Sequence, residues 1–134
     1  MIIHMPYNLF LDDIRVPHKV DWVELPLVDW VIVRDFDQFV TYIKLHGIPK
    51  RVTFDHDIHS SQYGAFIDIT GHTQSPECTG YDCVKWLVQY CIDHNHDFPE
   101  YYLHTMNEVG KQNMQSYINC FAKFKEQDAK QVKQ

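Results

Sequence analysis

Two short acidic runs carry most of the chemistry this sequence could perform: Asp12-Asp13 and Asp55-His56-Asp57. Each follows directly on an apolar run, Leu9-Phe10-Leu11 in the first case and Val52-Thr53-Phe54 in the second. Carboxylates gathered in one cleft repel, which raises their pKa values unless a cation lies between them. Mg2+ suits such a cleft because it is hard, takes oxygen ligands, keeps several waters and binds one or two carboxylates together with substrate phosphate. Mn2+ fits the same shell. An ion held there would polarise a phosphoryl oxygen and lower the pKa of a bound water. Asp12, Asp13, Asp55 and Asp57 are therefore the candidate metal ligands, with the orientation of Asp57 left open. A lone Asp after a strand is usually a turn former or a helix cap; two clusters at neighbouring strand ends favour function.

A second set lies downstream. His104-Thr105 closes a fourth β-prone run and is expected on the same rim, with His104 as a general acid or base and Thr105 donating a hydroxyl to phosphate. His56 is an alternative acid or base, and each His could instead simply hydrogen-bond a loop carbonyl. Asn107 and Asn113 flank the start of the last helix, where free backbone amides favour anions; either could orient a phosphate, or Asn107 could cap the helix. The run Asp93-His94-Asn95-His96-Asp97 looks metal-like but follows a helix end and reads as a solvated turn.

The elements that must position these groups alternate along the chain. Strands are expected at 7–11, 28–33, 51–54 and 101–104, from their β-branched and aromatic content. Asp35, with Gln38 three residues on, signals a helix start, and Gly47 its end. A second helix presents Val84, Leu87, Val88 and Cys91 on one face, and a third Met114, Tyr117 or Ile118, and Phe121. Residues 14–27 contain Pro17 and Pro26 and no clear helical period. This pattern predicts one α/β domain over 1–134, doubly wound, with a mostly parallel sheet of about four strands in the order 2-1-3-4. In that order the chain reverses between the first and third strands, and ligands bind at the carboxyl ends beside the reversal. The two acidic runs sit at those ends. The long Ser-, Gly- and Thr-rich stretch 58–79 reads as a functional loop with a short hairpin at 65–70, and 126–134 as a frayed tail.

Composition narrows the classes. Apolar residues make up 45% and charged residues 22%, which suits a globular domain, and no run is long enough to span a membrane. A formal charge of −6 argues against broad nucleic-acid binding without excluding one phosphate end held through a metal. Four cysteines without CxxC pairing read as reduced thiols, and a cytoplasmic location is expected.

Taken together, Leu9-Phe10-Leu11-Asp12-Asp13-Ile14-Arg15-Val16-Pro17, Phe54-Asp55-His56-Asp57-Ile58, Thr79-Gly80-Tyr81-Asp82 and His104-Thr105-Met106-Asn107 through Gly110, Asn113 and Met114 resemble the cyclic-phosphate processing receiver-like domain family. The resemblance runs from about Leu9 to Phe121. It implies a receiver-like fold and a role in processing cyclic phosphates at RNA ends, within RNA repair or its regulation. It implies that Asp12, Asp13 and Asp55 match the acidic pocket of receivers and Thr105 their hydroxyl residue, while His56 and the His104…Asn107 pair belong to this family. Arg15, within the first motif, joins Thr105, Asn107 and Asn113 as a candidate phosphate ligand. Receivers also have a fifth strand ending in a lysine; none is evident here, and Lys111 stands elsewhere in the chain.

The leading expectation is a metal-dependent phosphoesterase acting on a cyclic or terminal phosphate of RNA or a nucleotide, with His104, His56 and Asp55 as catalytic candidates. The alternatives are a receiver-like module that senses phosphate, or a protein-interaction domain that keeps the fold and engages a protein partner.

Overall fold

A computed structural model describes residues 5–58 and 78–132, with side chains through Gln127. The 58–79 loop and the hairpin expected at 65–70 therefore lie almost wholly outside the described residues. Four strands, β1 (Asn8–Leu11), β2 (Val31–Val33), β3 (Arg51–Phe54) and β4 (Glu100–Leu103), form one parallel sheet in the order β2-β1-β3-β4. This is the expected order, and the carboxyl ends of β1 and β3 lie side by side, with Leu11 in register with Phe54. β2 begins at Val31 rather than at Val28, and β4 ends at Leu103, one residue before His104.

Three helices follow β2, β3 and β4: α1 (Phe36–His46), α2 (Gly80–Asp93) and α3 (Glu108–Val132). α1 starts where Asp35 accepts from the Gln38 backbone N–H, while the Gln38 side chain reaches back to the N–H of Arg34. It ends at Gly47, whose φ of 88° favours glycine. α2 opens on a full capping box between Thr79 and Asp82. α3 continues to Val132, further than the polar composition beyond Lys125 suggests. Beyond the end of α2, His94 and Asn95 form an exposed turn, as the sequence implies.

Side-chain alternation divides the sheet into two faces. Leu9, Leu11, Val52, Phe54 and Leu103 pack in one apolar cluster with Phe39 and Ile43 of α1, Leu87 and Val88 of α2, and Met114 and Ile118 of α3. All three helices thus cover that face. The opposite face carries Phe10 and Thr53, both fully buried. Its cover is the β1–β2 connection, which contains only one 3-10 turn (Pro17–Lys19) and brings Val20, Trp22 and Trp30 over the sheet. The missing helical period in residues 14–27 has its cause here: this face is closed by an irregular segment.

The end of β3 is further constrained by α2. The Gly80 N–H donates to the His56 carbonyl at 2.7 Å, and a Cβ on Gly80 would lie 1.8 Å from the Asp55 carbonyl oxygen. Backbone cannot yield that far without moving the strand end. Gly80→Ala should therefore destabilise the protein by about 2–4 kcal/mol, read as a lower urea midpoint. A midpoint equal to wild type would show that helix and strand end are not so closely packed.

Candidate functional site

The strand alternation that buries Phe10 and Thr53 continues past the strand ends and brings three ionisable groups to the same side. Asp12 and His104 are fully buried and Asp55 is 4% exposed. One ligand atom from each lies within 4.8 Å of the others, so Asp12, Asp55 and His104 form a group that could hold a metal.

Asp12 is the most heavily committed. Its Oδ1 accepts backbone N–H bonds from Ile14 (3.0 Å) and Arg15 (2.8 Å), and its Oδ2 lies 3.0 Å from His104 Nε2. Burial works against the charge, but the His104 bond and the two backbone donors outweigh it and hold the carboxyl at about 2. An ionised Asp12 requires His104 Nε2 to carry the proton. The other ring nitrogen, Nδ1, meets the Thr53 hydroxyl at 2.8 Å. The ring also stacks on Phe10 at 4.7 Å, nearly parallel, and Trp22 donates its indole N–H to the His104 carbonyl. The expected position of His104 on the rim is thus corrected. With β4 ending at Leu103, the next side chain points into the second face and lies under the cleft.

Asp55 is poised differently. It accepts from the His56 N–H at 2.8 Å and from the Thr105 hydroxyl, yet burial first, and then the Asp12 charge, raise its pKa. The Arg15 guanidinium stands between the two acids, 3.7 Å from Asp12 Oδ2 and 3.8 Å from Asp55 Oδ2. Its flat group lies 5.2 Å from the centre of the Trp22 ring. Arg34 donates to the carbonyls of Asp12 (3.1 Å) and Arg15 (2.6 Å), fixing the acidic turn from outside.

Above these groups opens a cleft of about 440 Å3 lined by Asp13, Ile14, Arg15, Asp55, Asp57, Thr105, Met106 and Asn107. Asp57, whose direction the sequence left open, lines it. His56 Nδ1 lies 2.9 Å from Asp57 Oδ1. A carboxylate cannot donate, so Nδ1 is the donor in this contact. The Asn107 amide nitrogen then serves Asp57, 3.4 Å from both carboxylate oxygens. Asn107 also caps α3, its Oδ1 accepting from the Gly110 N–H at 2.9 Å. Gly110 leaves room for the His56 ring, which a Cβ there would meet at 2.4 Å.

The structure thus brings Asp13, Asp55, Asp57, Arg15, Thr105 and Asn107 into one cleft, with His56 beside it and Asp12 and His104 beneath. Asn113 does not join them: it is exposed and is not among the lining residues. Six residues after Asn107, a helix has turned by about 600° and risen by roughly 9 Å, away from the strand ends. Thr53, Trp22 and Arg34 escape sequence reasoning. Thr53 reads as an ordinary strand residue, and Trp22 and Arg34 stand in no motif. The donor set is rich in carboxylate oxygen, with one acid raised in pKa by burial and by its acidic neighbour, and so fits a hard divalent cation.

Two opposite stability effects follow. The raised Asp55 favours folding only while protonated, a contribution present below the ordinary carboxyl pKa and lost as pH rises through its folded value. Asp55→Asn should therefore stabilise the metal-free protein at pH 7 by about 1 kcal/mol, with the gain fading below about pH 4. The lowered Asp12 contributes stability above about pH 4 that is lost as pH falls towards 2. His104→Ala, which leaves the buried Asp12 without its partner and opens a cavity, should cost about 3–5 kcal/mol. Melting curves of the three proteins across this pH range test all of these effects.

A scan against protein families matches the model of the cyclic-phosphate processing receiver domain over residues 7–120. No curated protein and no solved structure matches the chain. The matched span takes in all four strands, the two acidic strand ends and the Thr105–Asn107 turn, and the chain belongs to the cyclic-phosphate processing receiver domain family.

Proposed function

We propose that the cleft binds a divalent metal, Mg2+ or Mn2+, and opens a cyclic phosphate at an RNA end or on a nucleotide by adding water. The observation that carries this reading is the Asp57–His56 pair beside the cleft. Proton transfer is the one task that cyclic-ester hydrolysis asks of the protein beyond charge stabilisation, and with Nδ1 bonded to Asp57 it is His56 Nε2 that would exchange the proton. Asp13, Asp55 and Asp57 would hold the metal, which supplies polarisation of the phosphoryl oxygens and a more acidic bound water. Asp12 and His104 orient and charge-balance that shell from below, as outer partners of metal ligands do.

In the reaction, water adds to phosphorus and one ring P–O bond breaks, leaving a phosphomonoester and a free hydroxyl. His56 Nε2 takes the proton from the attacking water and returns it to the departing ribose oxygen. Asp57 holds the ring in that tautomer, Thr105 and Asn107 bind the phosphoryl oxygens, and Arg15 balances their charge. The wider setting follows from charge and thiol chemistry. A net charge of −6 suits recognition of one terminal phosphate rather than a length of RNA. Four free cysteines suit a reducing, cytoplasmic compartment. Among the described residues no helix is long and apolar enough to cross a membrane.

A second reading, a module that senses phosphate without turnover, draws on a specific observation: both ring nitrogens of the buried His104 are already engaged, which removes one catalytic candidate from contact with substrate.

The experiment is ring opening of nucleoside 2′,3′-cyclic phosphates and of RNA with a cyclic end, with Mg2+ or Mn2+, followed by chromatography of the products. Wild type should turn over, Asp55→Ala should lose activity entirely, and His56→Ala should lose about 10²–10⁴-fold in kcat. Metal-dependent binding of the cyclic phosphate without turnover would establish the sensing reading. Activity unchanged in His56→Ala would remove that residue from the mechanism.

A further inference from the structure

The position of Arg15 goes beyond that of a phosphate ligand. Its guanidinium faces Asp12 and Asp55 at 3.7 and 3.8 Å, beside the space a cation held by Asp55 would take. Both separations exceed hydrogen-bond length, so the attraction is Coulombic and sets no fixed geometry. The backbone of the same residue is held tightly. Its N–H donates to Asp12 Oδ1 at 2.8 Å, and its carbonyl accepts from Arg34 at 2.6 Å. The side chain is one-third exposed and reaches the cleft beside the Trp22 ring. The result is a cation on a fixed stem with a loosely held head.

Resting on the metal-and-phosphate reading above, we propose that Arg15 is a tethered counter-ion that stays with the acidic pair when no metal is bound and passes to the phosphate when a divalent cation enters. The charge balance explains the exchange. With Asp12 and Asp55 ionised and no metal bound, Arg15 offsets part of their repulsion. A dication on Asp55 would face the guanidinium as a like charge, so metal alone binds against it. A phosphate dianion in the cleft gives the guanidinium a new partner, for which its planar fork is well suited. Metal and phosphate then each favour the other's entry, a coupling that must be reciprocal. The site is thereby selective for the pair and resists filling by metal alone.

Calorimetric titration with Mn2+, in the absence and presence of inorganic phosphate, tests this with wild type, Arg15→Gln and Arg15→Lys. Melting temperatures confirm that each variant is folded. Without phosphate, Arg15→Gln should bind Mn2+ on the order of tenfold more tightly than wild type, and phosphate should improve its Mn2+ affinity by a smaller factor. Arg15→Lys, which keeps the charge, should stay near wild type. If wild type binds Mn2+ and Arg15→Gln binds it equally or more weakly, the exchange is overturned while the metal site stands. Arg15→Lys binding as tightly as Arg15→Gln would likewise overturn it. If no protein of the three takes up Mn2+, with or without phosphate, the metal reading falls and the exchange falls with it.

Discussion

The hydrogen bond between the buried carboxylate of Asp12 and the buried ring of His104 is the constraint on which the rest of the site depends. It joins the ends of β1 and β4, two strands that do not touch because β3 lies between them. β3 takes part through the Thr53 hydroxyl, which meets the far side of the same ring. One side-chain network therefore sets the relative height of three strand ends, and the residues just beyond them, Asp13, Asp55 and Thr105, inherit their positions from it. A buried carboxylate would be costly without this arrangement, since it needs a partner at each lone pair. Asp12 has the ring on one oxygen and two backbone donors on the other.

That commitment leaves the two acids unlike. Asp12 is fully satisfied and stays ionised to low pH, while Asp55, buried and beside a charged neighbour, resists ionisation. The environment separates the two roles: one carboxylate is structural charge, and the other is available for a cation. The local negative potential is fixed by Asp12 whatever Asp55 does, which is what a cation site near neutral pH requires.

Much of this was legible in the sequence, for identifiable reasons. Leu11-Asp12 and Phe54-Asp55 are abrupt changes from apolar to acidic at strand ends, and the handedness of crossovers leaves few strand orders, so the meeting of Asp12 and Asp55 could be read without coordinates. The cap at Asp35 and the period of α2 were equally plain. His104 was not, because composition marks the strand but not the face its side chains take, which is set by the register that pairs Phe54 with Leu103. Its burial also depends on Trp22, Trp30 and Val20, which lie in a segment with neither a helical nor a strand period. Asn113 lies away from the cleft for a third reason, since its distance is set by where α3 begins, and helix boundaries are poorly marked by composition.

This pocket differs from that of a signalling receiver in where its positive charge stands. Among the described residues the sheet has four strands, and Lys111, on the first turns of α3, is not among the residues lining the cleft. Positive charge comes instead from Arg15, on the turn after β1 and already in contact with both acids. A lysine at the end of a fifth strand would approach a bound phosphoryl group from the side opposite β1. An arginine on the β1 turn shares the side of the carboxylates themselves. Any cation those carboxylates held would face it, so charge compensation and ligand binding in this cleft would be one equilibrium rather than two.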